Sequence, residues 1–287
     1  MTDSTPLFAA IEAGGTKFVC GVGTGPDDLI TTTIPTTSPE VTVAAAVSFL
    51  RAQSGGTLRA VGIGSFGPVD LATGTITSTP KTAWRNFGLA DAIGQALGVP
   101  VRFDTDVNAA IFGEARWGAA RGVSNALYLT VGTGIGGGAI VGGQILHGLS
   151  HPEMGHIRIP HDTAADPFPG VCPYHGDCLE GLASGPAIAG RWGESGGDLP
   201  RDHPAWALEA HYLALGAASL ICTLSPERIV MGGGVMRQAQ LLGLVTRETK
   251  RLLAGYIGKV PPIVEPGLGE LSGVLGALAL AQGDANL

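Results

Sequence analysis

The sequence predicts an α/β protein built from two related lobes, and three observations carry that prediction. A short apolar run, a turn of glycine and threonine, and a returning apolar run occur twice, over residues 7–22 and again over 126–141. After each hairpin, segments with helical spacing of apolar residues alternate with short β-favouring runs. The chain has 287 residues, 45% hydrophobic and only 14% charged, so it can bury a substantial core and does not have a disordered composition.

The elements follow in order. Residues 7–12 and 17–22 read as strands joined by Ala13-Gly14-Gly15-Thr16. A helix is predicted over 41–52, a buried strand over 59–64 running to Gly67-Pro68, a helix over 89–97 and a strand over 101–104. Residues 107–117 have helical periodicity, with Asp106 at or near the start. After Gly118 the pattern restarts with a strand over 126–131, the turn Gly132-Thr133-Gly134 and a returning strand over 136–141. Further helices are predicted over 185–192, 204–224, 236–252 and 271–281, and a strand over 228–231 runs into Gly232-Gly233-Gly234. The expected division is a first lobe of residues 1–118, joined by the C-terminal helix 271–287, and a second lobe of 119–270 with a metal loop at 156–178.

Composition also excludes function classes. The net charge is −7 and no basic run stands out, which argues against a nucleic-acid partner. The first residues lack the charged-then-apolar pattern of a signal peptide, and no uninterrupted apolar stretch is long enough to cross a bilayer. A soluble, cytoplasmic protein is expected. Two of its four cysteines, Cys172 and Cys178, stand beside histidines, which in a reducing compartment reads as metal rather than disulfide.

The two glycine turns suit phosphate binding, because glycine lets backbone N–H groups approach phosphate oxygens closely. Gly14, Gly15, Thr16 and Lys17 offer this with a hydroxyl and a cation alongside, and Gly132, Thr133 and Gly134 offer it again. Either turn alone is as well explained as an ordinary hairpin; two of them opening two α/β halves suggest a phosphate clamp. No Gly-x4-Gly-Lys-Ser/Thr sequence occurs, which excludes a P-loop. Gly132 to Gly137 matches Gly-x-Gly-x-x-Gly but runs on into an apolar strand, where a dinucleotide site needs a helix.

Asp104 and Asp106 sit where a strand enters a helix. Either could cap that helix, and a carboxylate there could also act as a general base; Asp104 could stay structural while Asp106 faces a substrate. Glu12, beside the first glycine turn, would repel phosphate directly, so its expected role is to hold magnesium, directly or through water. Cys172-x2-His175-x2-Cys178 with His156 makes a two-thiolate, two-imidazole set suited to structural zinc, with His151 and His161 as rival fourth ligands.

Glu12-Ala-Gly-Gly-Thr-Lys17, Gly67-Pro-Val-Asp70, Asp106-Val-Asn108, Val131-Gly-Thr-Gly-Ile-Gly136, Glu153-Met-Gly-His156 and Cys172-x2-His175-x2-Cys178-Leu-Glu180 occur in the order of the ROK family of sugar kinases, repressors and related proteins, which the chain resembles over nearly its whole length. The resemblance implies an actin-like (ribonuclease H-like) two-domain sugar kinase fold that closes on ATP and sugar, with Asp106 as catalytic base. It implies that Glu153, His156 and Glu180 contact sugar hydroxyls or zinc, and that Gly233 and Gly234 lie near the adenosine. The expected sugar-binding set is Gly67, Asn86, Thr105, Asp106, Glu153, His156 and Glu180. Glu12, where many glucokinases of the family carry Asp, and the Cys-x2-His-x2-Cys spacing resemble the zinc-containing fructokinase branch.

The reaction expected from this resemblance is transfer of the ATP γ-phosphate to the 6-hydroxyl of fructose, with Mg2+ and a structural Zn2+. The expected partners are sugar and ATP, with neither nucleic acid nor membrane, and a second copy of the chain in a homodimer. The alternatives are a hexokinase for glucose or mannose, or a sugar-sensing regulator without kinase activity. The family's repressors carry a helix-turn-helix before the first glycine turn, for which residues 1–11 leave no room.

Overall fold

A computed structural model describes residues 6–283 and divides them into two compact units. The first holds the described residues to Gly122, the segment Gly143–His151 and the residues from Gly267 onward; the second holds Val123–Gly142 and Pro152–Pro266. Residues 1–5 and 284–287, which the expected lobes include, lie outside the described residues.

The first unit is built on a sheet of β1 (Leu7–Ala13), β2 (Lys17–Gly23), β3 (Ile30–Pro35), β4 (Leu58–Ser65) and β8 (Val101–Thr105), in the order β3-β2-β1-β4-β8. β1–β2 and β2–β3 are antiparallel, whereas β1–β4 and β4–β8 are parallel. β1 is central, so Ala9, Ala10 and Ile11 are fully buried. β3 was absent from the sequence reading. It is an edge strand rich in threonine, alternately exposed and half-buried, and it gives little apolar signal. A small sheet of β5 (Val69–Asp70), β6 (Thr75–Ile76) and β7 (Phe87–Gly88) was likewise unforeseen, its strands being too short for a period.

Helix α1 (Pro39–Ser54) starts with proline in its first turn and stops at Gly55 in the left-handed region. Its buried Ala46, Val47 and Leu50 lie at helical spacing and join one core with the sheet and α2 (Leu89–Leu97). The other face of the sheet takes α3 (Asp106–Trp117) and α8 (Ser272–Gln282). A Cβ on Gly276 would stand 1.7 Å from the Ala109 carbonyl oxygen, so only glycine permits this approach of α8 to α3. The buried Glu114 carboxylate completes the joint by accepting from the N–H groups of Gly267 and Leu268 and from the Ser272 hydroxyl. The last helix therefore belongs to the first unit.

The second unit repeats the scheme. β9 (Ala126–Val131) and β10 (Ile135–Val141) are an antiparallel hairpin; β11 (Gln144–Ile145) falls in the segment grouped with the first unit. β12 (Arg228–Gly232) and β13 (Ile263–Val264) extend the sheet in parallel, giving β10-β9-β12-β13 within the unit. Helices α4 (Leu179–Ala183), α5 (Gly185–Trp192), α6 (Ala205–Leu224) and α7 (Leu241–Leu252) pack with it.

One expectation needs correction. The helix expected from 236 begins at Leu241; residues 235–237 form a separate 3-10 turn held by Met236 N–H on the Gly233 carbonyl. The 20-residue α6 is long and apolar enough on average to span a membrane, although Glu209 and His211 interrupt its apolar run. Half of its apolar window is buried inside the unit, where Trp206, Tyr212 and Leu213 are core residues, and that packing accounts for its composition.

Candidate active site

In the first unit the turn between β1 and β2 closes through Gly14 N–H on the Lys17 carbonyl at 2.9 Å. Thr36 braces it from β3's end, donating its N–H to Thr16 O (2.9 Å) and its hydroxyl to Gly14 O (2.8 Å). Glu12 precedes the turn. Its Oε2 is shut off from solvent without a hydrogen-bond partner, and burial raises the carboxyl to about 7 against the opposing pull of Lys17 and the Val274 N–H. A buried carboxylate with one unsatisfied oxygen beside a glycine turn fits a role in holding a hydrated divalent cation.

Asp106 is the first residue of α3, and its Oδ1 accepts from Val107 N–H at 2.9 Å. Neither aspartate is the cap. Thr105 is, accepting from Asn108 N–H at 3.1 Å, so the capping role read for the aspartates passes to Thr105. Thr105 is buried, with its hydroxyl so engaged. Asp104 is structural: Oδ1 accepts from Thr105 N–H (2.7 Å) and the Asn108 amide (2.8 Å), and Oδ2 meets His147 Nε2 at 2.8 Å. This hydrogen bond to Asp104 raises the His147 imidazole above its ordinary value. Sequence reasoning missed His147, since nothing local marks a histidine that reaches a residue 43 positions away.

Gly67 opens the turn before β5, where Val69 N–H donates to His151 Nε2 at 3.1 Å. His151 is thus committed to the first unit. Asn86 is exposed, in the left-handed region at φ 57°, with its N–H on the Thr77 carbonyl.

In the second unit the turn between β9 and β10 closes through Gly132 N–H on the Gly134 carbonyl (2.9 Å), while Gly185 N–H donates to Gly132 O (2.7 Å). Gly233, at φ 96°, passes so close to Val131 that a Cβ would stand 2.4 Å from its carbonyl oxygen. Gly132 and Gly234 are neighbours in turn, so the two glycine segments form one backbone surface.

The metal loop stands next to this surface. Cys172 Sγ lies 3.7 Å from His156 Nδ1 and 3.6 Å from His175 Nδ1, and Cys178 Sγ lies 3.6 Å from His156 Nδ1. All four ligand atoms fall within 4.8 Å of one another. A tetrahedral ion with Zn–S of about 2.3 Å and Zn–N of about 2.0–2.1 Å has S···N edges near ~3.6 Å, so the residues fit zinc. His161 is excluded from the set by its engagements with Asp177 and the Asp166 carbonyl. His156 turns Nδ1 to both sulfurs, which leaves its Nε2 for another group.

Glu153, Met154–His156 and Glu180 are placed by the same loop. His156 N–H donates to Glu153 O at 3.0 Å in a 3-10 turn that lies flat on β10, where a Cβ on Gly155 would stand 1.7 Å from Ile135 O. Cys178 directly precedes α4, so Glu180 lies in its first turn; Glu180 Oε2 accepts from Ile135 N–H at 3.0 Å, and Oε1 is 3.9 Å from His156 Nδ1. The second phosphate-type turn, Glu180 and the metal set are therefore contiguous.

The model of the ROK family matches residues 8–284 of this chain. A fructokinase of Zymomonas mobilis is 42% identical, with 98% of each chain covered. A fructokinase of Pediococcus pentosaceus is 41% identical over 96% of this chain and 98% of its own. Among solved structures, the ROK family glucokinase of Streptomyces griseus in complex with glucose and AMPPNP superposes with a TM-score of 0.79 at 28% identity, covering 96% of this chain and 99% of that one.

Proposed function

The chain belongs to the ROK family, and from that premise we propose that it is an ATP-dependent fructokinase. The observation that carries this reading is full-length similarity above 40% to proteins named fructokinase. In the reaction, the 6-hydroxyl oxygen of fructose bonds to the γ-phosphorus of ATP, the bond from phosphorus to the bridging oxygen breaks, and ADP leaves with its electron pair. Asp106 accepts the hydroxyl proton. The N–H groups of the Gly14–Lys17 turn and of the Gly132–Gly134 turn orient phosphate oxygens, and Gly233 and Gly234 serve the adenosine end. Glu12 would hold Mg2+ through water, and that ion would neutralise phosphate charge.

His156, Cys172, His175 and Cys178 would hold Zn2+ with no open position, a structural site. Its chemistry is to fix the loop: with Nδ1 on the metal, His156 has Nε2 for a sugar hydroxyl, and Glu153 and Glu180 are held as hydroxyl acceptors beside it. Gly67 and Asn86 complete the proposed sugar contacts.

A coupled assay of ADP release over a panel of hexoses tests the reading. Fructose is expected to give the highest kcat/KM, with slow ATP hydrolysis in its absence. A clear advantage for glucose or mannose would transfer the assignment to a hexokinase, and no ATP-dependent turnover of any sugar would overturn it.

A further inference from the structure

Lys81 belongs to neither glycine turn, to the Asp104–Asn108 segment nor to the cysteine–histidine loop, yet its loop is tied to the backbone that holds the first glycine turn. Thr36 braces Gly14 and Thr16, and the next residue, Thr37, accepts the Trp84 indole N–H on its carbonyl at 2.8 Å. Trp84 is 1% exposed, with its ring 5.3 Å from Phe18, 5.9 Å from Phe66 and 5.4 Å from Phe87 between centroids. Phe18 is on β2 just after the turn, and Phe66 directly precedes Gly67. The arch of residues 79–85 is closed internally: Lys81 N–H donates to the Thr79 hydroxyl, Trp84 N–H to the Lys81 carbonyl, and Arg85 Nε–H to the Thr79 carbonyl.

This arch packs Lys81 against the tip of the glycine turn. A Cβ on Gly15 would stand 3.3 Å from Lys81 Cε, so the aliphatic stem runs past bare backbone. Among the described residues the ammonium forms no ion pair or hydrogen bond. A buried aromatic anchor and three hydrogen bonds thus fix the base of an unpaired cation between the phosphate-type turn, at Gly15, and the sugar-side turn, through Phe66 and Gly67.

We propose that Lys81 is a phosphate-binding residue of the reaction, its ammonium contacting the oxygens of the γ-phosphoryl group as it passes from nucleotide to sugar. The inference rests on reading the Gly14–Lys17 turn as phosphate-facing in a sugar kinase. The γ group is singled out because it alone is shared by the two sides that the arch adjoins. Lys81 donates hydrogen bonds and charge throughout and exchanges no proton; the hydroxyl proton still goes to Asp106 and the electron pair leaves with ADP. Donors aimed at charge that moves during the reaction stabilise the transition state more than the bound substrate, so the effect belongs mainly on kcat.

The test compares Lys81→Met, which keeps the stem and removes the charge, with Lys81→Arg. Expected for Lys81→Met is a loss of about 100-fold in kcat with the fructose KM within about threefold of wild type. In calorimetry with Mg2+, it should bind the non-hydrolysable analogue AMPPNP about tenfold more weakly and ADP as wild type does, with Lys81→Arg recovering most of the analogue affinity. An unchanged ratio of analogue to ADP affinity, a kcat within about threefold of wild type, or parallel losses for ADP and fructose that mark a damaged arch would each overturn the proposal. If wild-type protein turns over no hexose, the kinase reading fails by itself and the nucleotide titration still decides Lys81; wild-type protein that fails to bind the analogue overturns both.

Discussion

His147 Nε2 and Asp104 Oδ2 stand 2.8 Å apart, and through that contact the segment Gly143–His151 grips the strand end that carries Asp106. Asp104 is buried and uses its other oxygen to hold Thr105 N–H and the Asn108 amide. The proposed base, Asp106, therefore follows a carboxylate whose two oxygens are both engaged within the fold.

His147→Ala should lower kcat about tenfold while leaving the KM for ATP unchanged, since a small misplacement of a reacting group is costly. His147→Gln, which can still donate, should recover part of the loss. The contact also has a pH signature. Asp104 raises the imidazole above its ordinary value, so the stabilisation is fully present at low pH and is lost as pH rises through that raised value. Urea titrations of wild type and His147→Ala should differ at pH 6 and converge toward pH 8.5.

Asp106→Asn should cut kcat by about 10²–10⁴-fold and leave fructose affinity largely intact, because the amide keeps the shape and loses the basicity. Turnover within a few-fold of wild type would remove Asp106 from the role of base.

Gly134→Ala should raise the KM for sugar as well as for ATP. A Cβ there would stand 2.6 Å from Glu180 Oε2, the acid that Ile135 N–H positions, so the turn cannot be filled without displacing a proposed sugar contact. Gly15 has only the flexible Lys81 stem nearby, and Gly15→Ala should act on ATP alone. Steady-state kinetics with each substrate varied distinguish the two.

Elemental analysis should find about one zinc per chain, and chelation should weaken sugar binding as well as thermal stability. Cys178→Ser should do the same, since Cys178 abuts Glu180's helix although its sulfur touches no sugar. Metal-free protein with normal fructose affinity would show that the loop holds its shape unaided.

Glu209→Met should stabilise the protein by about 1–3 kcal/mol at pH 8 and by less at pH 5. Glu209 is buried in the second turn of α6 with neither carboxylate oxygen hydrogen-bonded. Burial raises it well above the usual carboxylate range against the opposing charge of Arg191. A raised folded value means that the folded state holds the extra proton, so stability falls as pH climbs above the ordinary carboxylate value. Thermal unfolding of both proteins across that range measures the difference.

Much of this molecule was legible in its sequence, for local reasons. The two hairpins announce themselves because a central strand is largely apolar, as residues 7–11 of β1 and 126–129 of β9 are, and each is followed by a turn containing glycine. The cysteine–histidine cluster was legible because Cys172, His175 and Cys178 lie within seven residues, a spacing that would suit a tetrahedral ion. Edge strand β3 and the two-residue strands β5 to β7 were not, because exposure removes the apolar period that would reveal them.

The sequence named His156 for the cysteine–histidine cluster but left His151 and His161 as rivals, and only the tertiary structure separates them and shows which histidine reaches Asp104. His147, His151, His156 and His161 lie four or five residues apart, and spacing does not separate them; the fold sends the first two to the first unit, turns His156 to the cysteines and ties His161 to aspartates. The same holds for Lys81 and Gly15, and for Glu114 and the return to α8. Sequence pattern fixes what a segment buries and how it turns, whereas partners distant in the chain are chosen by packing, which takes shape only when the whole core closes.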